Sequence, residues 1–381
     1  MKKIPLRDNV RLLKGLDSVF GKLATRILPA PPCTAPAGEI RSILVIRPGG
    51  IGDAALLAPA IYRLQRIFPH ARIQILAEKR NSDTFALIPG IDQVLLYDTP
   101  NGLLQVLRGT YDLVIDTEQW HRLSALVARL TGAPRLIGFD TNERRRMFTH
   151  AVPYRHDEYE VSSFLHLLTP LGIREAHDGS TVFLFVPESE KERATTLLHP
   201  VGGTPFISIF PGASIAERRW GSRRFNSVVK SLEHHGLRSV IVGGAVDREQ
   251  GEEIVKDTRA LNLAGRTTLA GTAAIISASS LLLSGDSGVL HIAVGLGVPT
   301  VSLFGPGIAA KWAPRGTRHT VVNRELPCSP CTRFGTTPPC PCNVSCLSEI
   351  LPDAVTTAIL QQLRIDKKIS NKVLDFIGHH C

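Results

Sequence analysis

The chain has 381 residues, 43% of them hydrophobic and 20% charged, a length that exceeds one compact core and fits two domains. No apolar run reaches the ~18 residues of a membrane span, and the N-terminus lacks the continuous apolar centre of a secretory signal, so a soluble, cytoplasmic protein is expected. The formal net charge of +10 is unevenly placed, because residues 1–30 hold seven Lys or Arg against two Asp.

In that basic segment Leu6, Val10, Leu13, Phe20, Leu23 and Ile27 mostly follow three- and four-residue steps. This is the pattern of an amphipathic helix, able either to lie on an anionic membrane surface or to dock on the protein's own body. No nucleic-acid partner is expected, since no binding motif or aromatic-basic interleaving accompanies the charge. A Pro-rich linker, Leu28 to Gly38, closes this extension of residues 1–40.

Short aliphatic runs then alternate with helical ones. Strands are predicted at Ile43–Arg47, Ile73–Ala77, Val94–Tyr97, Leu113–Asp116 and Leu136–Gly138, with helices at Ala54–Ile67 and Leu123–Leu130. Near-continuous Ile, Leu and Val without strict alternation marks strands buried on both faces of a parallel sheet. This gives a Rossmann-like domain over 41–185, with a helical bridge around Tyr159–Gly172. The pattern restarts in a second domain over 186–350, with strands at Phe206–Phe210, Ser239–Val242, Leu281–Ser284 and Thr300–Phe304 and helices at Arg223–His235, Arg248–Lys256 and Val289–Leu296. A last helix near Asp353–Leu363, in a tail of residues 351–381, could cross back to the first domain, which periodicity alone does not show. The fold class is therefore α/β, two Rossmann-like domains expected to face each other across an interdomain cleft, with ligand loops at the carboxyl edges of the sheets.

Four glycine-bearing loops carry the chemistry. In "RPGGIGD", Gly49, Gly50 and Gly52 permit a tight strand-to-helix turn, and Asp53 falls in or near the first turn of the next helix. A capping role would account for Asp53 on its own. The spacing is not the G-x-G-x-x-G of a dinucleotide site. In "SGDSGVLH", Asp286, Ser287 and Gly288 end a strand and His291 lies just inside a helix, so the Ser287 and Gly288 N–H groups would meet an anion, such as a diphosphate. His291 taken singly reads as a satisfied core histidine, whereas at this helix start a ligand contact is expected. "FPGASIAERRW" delivers Arg218 and Arg219 to the same sheet edge, where either could clamp phosphate oxygens.

These stretches, with "VGGAVD" and "LFGPG", resemble glycosyltransferase family 9, the ADP-heptose:lipopolysaccharide heptosyltransferases, over about residues 42–350. The resemblance implies a GT-B fold and a nucleotide-sugar donor held mainly by the second domain. It also implies inversion at the anomeric carbon and no required metal or other cofactor. It makes Asp53 the catalytic base and Asp286, Ser287, Gly288 and His291 the donor loop. Arg218 stands where the family usually has a phosphate-binding Lys, and Asp247 lies near an acidic position contacting the nucleotide ribose. Gly221 replaces the usual Pro, and Gly307 the usual Thr. The implied acceptor is the lipopolysaccharide core or another lipid-linked glycan, with peripheral contact to the inner face of the cytoplasmic membrane. A relative with another donor or acceptor, and a non-catalytic nucleotide-sugar or glycan binder, are the rival readings.

The cysteines Cys328, Cys331, Cys340, Cys342 and Cys346 fall within one short stretch, while Cys33 and Cys381 are isolated. A C-x-x-C followed by C-x-C-x-x-x-C is an incomplete zinc spacing. Thiols in a structural loop are expected, with bound zinc or iron as the alternative and a metal-dependent nucleic-acid binder as the rival function it would imply.

Overall fold

The structure, a computed structural model, describes residues 17–32, 38–174, 176–177, 179, 181–333 and 336–378. Leu6, Val10, Leu13, Cys33 and Cys381 lie outside them. The chain divides into two compact units, Met1–His177 and Asp178–Cys381.

Unit 1 is built on six parallel strands, β1 (Ser42–Arg47), β2 (Arg72–Ala77), β3 (Gln93–Leu96), β4 (Leu113–Asp116), β5 (Arg135–Asp140) and β6 (His150–Pro153), in the spatial order β3-β2-β1-β4-β5-β6. Its helices are α1 (Lys22–Ile27), α2 (Ile51–Leu56), α3 (Ala58–Ile67), α4 (Pro100–Arg108), α5 (Arg122–Leu130) and α6 (Glu160–His166). Ile43 to Ile46 are completely or almost completely buried, as the run of aliphatic residues requires of a strand covered on both faces. One face packs on α4 and α5 through Leu44, Ile46, Val106, Val114, Ala125 and Ala128. The sixth strand, β6, escapes the sequence reading because "HAVP" exposes three of its four residues. The predicted helix over Ala54–Ile67 begins earlier, at Ile51, and breaks at Leu57. The bridging segment Tyr159–Gly172 belongs to unit 1, with Val161 and Phe164 in its interior.

Unit 2 repeats the plan with β7 (Phe206–Phe210), β8 (Arg238–Ile241), β9 (Leu261–Asn262), β10 (Leu281–Gly285), β11 (Thr300–Phe304) and β12 (His319–Asn323), all parallel, ordered β12-β11-β10-β7-β8-β9. Its helices are α7 (Glu188–Leu198), α8 (Ser222–His234), α9 (Arg248–Val255), α10 (Leu269–Ser277), α11 (Gly288–Gly295), α12 (Ala309–Trp312), α13 (Ser345–Ser348) and α14 (Pro352–Gly378). The described buried residues of the last helix, whose destination its periodicity leaves open, pack in unit 2. Val355, Ala358 and Ile359 of α14 enter the core formed by α8 and the strands β7, β10 and β11, which buries its apolar face within unit 2.

Both sheets have the same order, and in both it reverses beside the first strand, between β1 and β4 and between β7 and β10. Loops leaving the carboxyl ends of two strands diverge at such a point and leave a crevice for a ligand.

Candidate active site

The unit 1 crevice is framed by the loops after β1 and β4. Gly49 has φ +119°, a conformation that side chains other than glycine's resist, and Gly50 is the extended N-cap of α2. A Cβ on Gly50 would fall 3.0 Å from Asp53 Oδ2, so the bare backbone leaves room for that carboxylate. Gly52 is buried in α2. Asp53 sits in the first turn, yet no side chain caps this helix; Gln119 Nε2 donates instead to Asp53 Oδ1 at 3.4 Å and to Glu160 Oε1 at 2.6 Å. The capping role is therefore not the one Asp53 plays. Tyr154 donates its hydroxyl to Glu160 Oε2 at 3.1 Å, and burial, with Glu160 alongside, drives its ionisation far upward, so the phenol stays protonated.

Arg47 lies beneath this row. Its guanidinium donates to the carbonyls of Pro48 and Thr117, both at 2.7 Å, and pairs with Glu118 at 3.2 Å, with only 1% of the residue exposed. Burial opposes its charge, but Asp53, Glu118, Glu160 and Asp116 outweigh that and raise its pKa. Glu118 is buried as well, and Arg47, His121 and Arg144 overcome the burial and hold its carboxyl below the usual range. Next to it Asp116 pairs with Arg144 at 2.5 Å, both side chains fully buried, though burial pushes the Asp116 carboxyl up against that pull. A small cavity of about 60 Å³ opens here, lined by Pro48, Gly49, Glu118 and His121 among others. A larger one of about 300 Å³, lined by Gly38, Glu39, Ile67 and His70, lies at the amino ends of the strands and is no part of this site.

The unit 2 crevice is framed by the loops after β7 and β10. Arg218 Nη1 pairs with Asp286 Oδ2 at 3.2 Å, while Arg218 Nε, although buried, has no hydrogen-bond partner among the described residues. Ser287 caps α11, its hydroxyl accepting the Leu290 N–H at 3.3 Å. The remaining first-turn N–H groups, those of Gly288 and Val289, have no carbonyl to reach within the helix and face outward. His291 is 3% exposed, its Nδ1 lacks a hydrogen-bond partner among the described residues, and its ring lies 6.2 Å from that of Trp312. A satisfied core histidine would have a partner. Burial first, and Arg218 second, lower its pKa to about 4, so it is neutral at pH 7. Asp247 is 5% exposed and turned into its own loop, where Oδ2 accepts the Gly244 N–H at 2.9 Å. Gly212 and Gly243 make way for it, since a Cβ on either would approach it within 2.9 Å.

The cysteine loop is stitched to the same edge. Ser329 Oγ donates to the Gly305 carbonyl at 2.7 Å, and the Cys331 and Thr332 N–H groups donate to the Pro306 carbonyl at 3.1 and 2.9 Å. Cys328, Cys331, Cys340, Cys342 and Cys346 are free thiols, and among the described residues no three His, Cys, Asp or Glu side chains converge on a metal-sized point.

Residues 102–340 match the family described as Glycosyltransferase family 9 (heptosyltransferase). The chain belongs to glycosyltransferase family 9. Among its relatives is lipopolysaccharide heptosyltransferase 3 of Escherichia coli, 29% identical over 288 residues, or 69% of this chain and 83% of that protein. Two solved structures share the fold. The family 9 glycosyltransferase of Veillonella parvula has a TM-score of 0.72 at 21% identity, covering 85% of this chain and 97% of its own. E. coli ADP-heptose lps heptosyltransferase II has a TM-score of 0.70 at 24% identity, covering 86% and 99%. The protein is a glycosyltransferase of heptosyltransferase type with the GT-B fold class, two Rossmann-like α/β units.

Two departures from the family 9 pattern have visible causes. Gly221, at the usual Pro, has φ +102°, which a proline ring cannot adopt. Gly307, at the usual Thr, leaves the space that the Asp286 carboxylate fills, because a Cβ there would lie 2.1 Å from Asp286 Oδ2. The residues that sequence reasoning missed are Arg47, Glu118, Gln119, Tyr154 and Glu160. Their one legible signal was "DTEQW", a polar run at the end of a buried strand next to the glycine loop in the sheet.

Proposed function

We propose that this family 9 glycosyltransferase moves a heptose from ADP-heptose to the lipopolysaccharide core, or a closely related lipid-linked acceptor, with inversion. The observation that carries the reading is Asp53, a carboxylate at the switch point of the unit 1 sheet that caps no helix and is oriented by Gln119. The names of the relatives support the sugar and the acceptor.

The acceptor hydroxyl gives its proton to Asp53 as its oxygen forms the bond to the anomeric carbon. The bond from that carbon to the diphosphate oxygen breaks on the opposite side, and the diphosphate leaves with the electron pair. Arg218 and the outward N–H groups at the start of α11 stabilise that charge, and neutral His291 offers Nδ1 to a donor hydroxyl or accepts from one according to its tautomer. Asp286 orients Arg218, and Asp247 shapes the adjoining loop. No cofactor enters this scheme, and the cysteine loop serves to buttress Gly305 and Pro306. A lipid-linked acceptor would bring the reaction to the inner face of the cytoplasmic membrane.

Asp53→Ala is expected to lower transfer by about 10²–10⁴-fold while leaving ADP-heptose binding within a few-fold, as measured by product formation and calorimetry. NMR of the product's anomeric configuration tests inversion. Preferred binding of another nucleotide sugar would overturn the donor, and undiminished turnover by Asp53→Ala would overturn the base.

A further inference from the structure

The N-terminal helix of unit 1 is inside out. Its π-helical turn Asp17–Gly21 runs on into α1, and among the described residues those buried against the protein are Asp17, Gly21 and Thr25. Asp17 Oδ1 accepts the Arg122 and Leu123 N–H groups at 2.6 and 2.7 Å, and a Cβ on Gly21 would meet Arg122 Cβ at 3.1 Å. Phe20, Leu23 and Ile27 point the other way and are 60%, 55% and 71% exposed. A helix that only completes a water-soluble fold buries its apolar stripe and exposes its polar one; in its described side chains this helix does the reverse. Leu130, at the end of the neighbouring α5, is also exposed.

Charge surrounds the apolar stripe. Lys22, Arg26, Arg145 and Arg146 are exposed along the helix and the adjoining turn Glu143–Met147, and Arg146 Nη1 donates to the Arg26 carbonyl at 3.4 Å. The neighbouring carboxylates are engaged, Asp17 with α5 and Glu143 with Arg122 at 2.7 Å and Arg26 at 3.4 Å. Five further Lys or Arg and one Asp precede Asp17 in the sequence.

We propose that this face is a docking surface for an anionic lipid bilayer, with Phe20, Leu23 and Ile27 entering the interface and the basic residues meeting lipid phosphates. The choice of a bilayer as occupant rests on the lipid-linked acceptor proposed above; the inverted helix and its basic rim do not. The geometry requires the apolar and the basic parts to contribute together, because neither alone anchors a protein stably.

The test is co-sedimentation of the full chain with vesicles of phosphatidylcholine alone or mixed with phosphatidylglycerol. Binding should favour the anionic vesicles by at least ~10-fold and weaken at high salt, each basic residue near the surface contributing about fivefold. Phe20→Ser/Leu23→Ser/Ile27→Ser should lose ~10-fold or more of that binding, and Lys22→Glu/Arg146→Glu should lose the preference for anionic lipid. The substituted side chains are exposed, and an unchanged melting temperature verifies folding. Equal binding to both vesicle types, full binding by the triple variant, or a concentration-dependent dimer that the triple variant abolishes would overturn the proposal. Calorimetry with ADP-heptose separates the two readings: intact donor binding beside absent vesicle binding sinks the docking surface alone, whereas absent donor binding sinks the proposed transfer.

Discussion

Replacing Gly307 by Ala probes the donor half of the site through one atom. Gly307 is not among the glycines of positive φ, so its backbone would accept a side chain. The obstacle is Asp286, whose Oδ2 and Cγ would stand 2.1 and 3.0 Å from the new Cβ. The carboxylate must swing aside, which takes it from Arg218 Nη1, now 3.2 Å away. Overpacking of this kind costs about 1–3 kcal/mol. A comparable misplacement of Arg218 weakens binding of a nucleoside diphosphate sugar about tenfold or more, tenfold being about 1.4 kcal/mol. Urea unfolding and calorimetry measure the two effects. If Asp286 is the cause, Asp286→Ala/Gly307→Ala should be more stable than the sum of the single changes predicts, by about 0.5–3 kcal/mol. A Gly307→Ala protein as stable as the wild type, with an additive cycle, would refute the reasoning.

Arg47→Met removes the donors to Pro48 and Thr117 and leaves Glu118 as an unpaired buried carboxylate, so unit 1 should lose about 3–5 kcal/mol in urea unfolding. Gln119→Ala should leave ADP-heptose binding unchanged and lower turnover, seen as a fall in kcat, because Asp53 loses its orienting donor. His291 titrates at about 4 when folded, against 6.5 unfolded, so above pH 6.5 it has no influence on stability and below it the unfolded chain takes up a proton that the folded chain refuses. Its share of the lost stability is on the order of 2–3 kcal/mol at pH 4.5. Comparing urea midpoints at pH 7 and 4.5 should show a smaller acid loss for His291→Gln than for the wild type; His319, lowered to about 4 by burial and by Arg318, retains its own part of the slope in both.

The doubly wound plan was legible because strands covered on both faces must be apolar throughout, as Ile43 to Ile46 and Leu281 to Leu283 are. Edge strands escape that rule: β6 exposes three of its four residues and β12 has none that is fully buried, so neither shows a continuous apolar run. Asp53, Arg218 and Asp286 were visible because glycine turns announce the carboxyl edge of a strand. Glu160 was not, since it lies on a helix more than a hundred residues along the chain from Asp53 and reaches that carboxylate through Gln119. The destination of α14 was equally hidden, because an apolar face at helical period does not say which core it enters.

The inward anchoring of the N-terminal helix has a practical side. His121, at the N-cap position of α5, makes no side-chain cap hydrogen bond; the first N–H groups of that helix are instead held by Asp17, which lies over a hundred residues earlier in the chain. Trimming the apolar N-terminus to improve solubility, a common step when a protein aggregates, would here remove a helix cap from the middle of unit 1. Substituting Phe20, Leu23 and Ile27 while keeping Asp17 would shed the apolar surface and leave the fold its keystone.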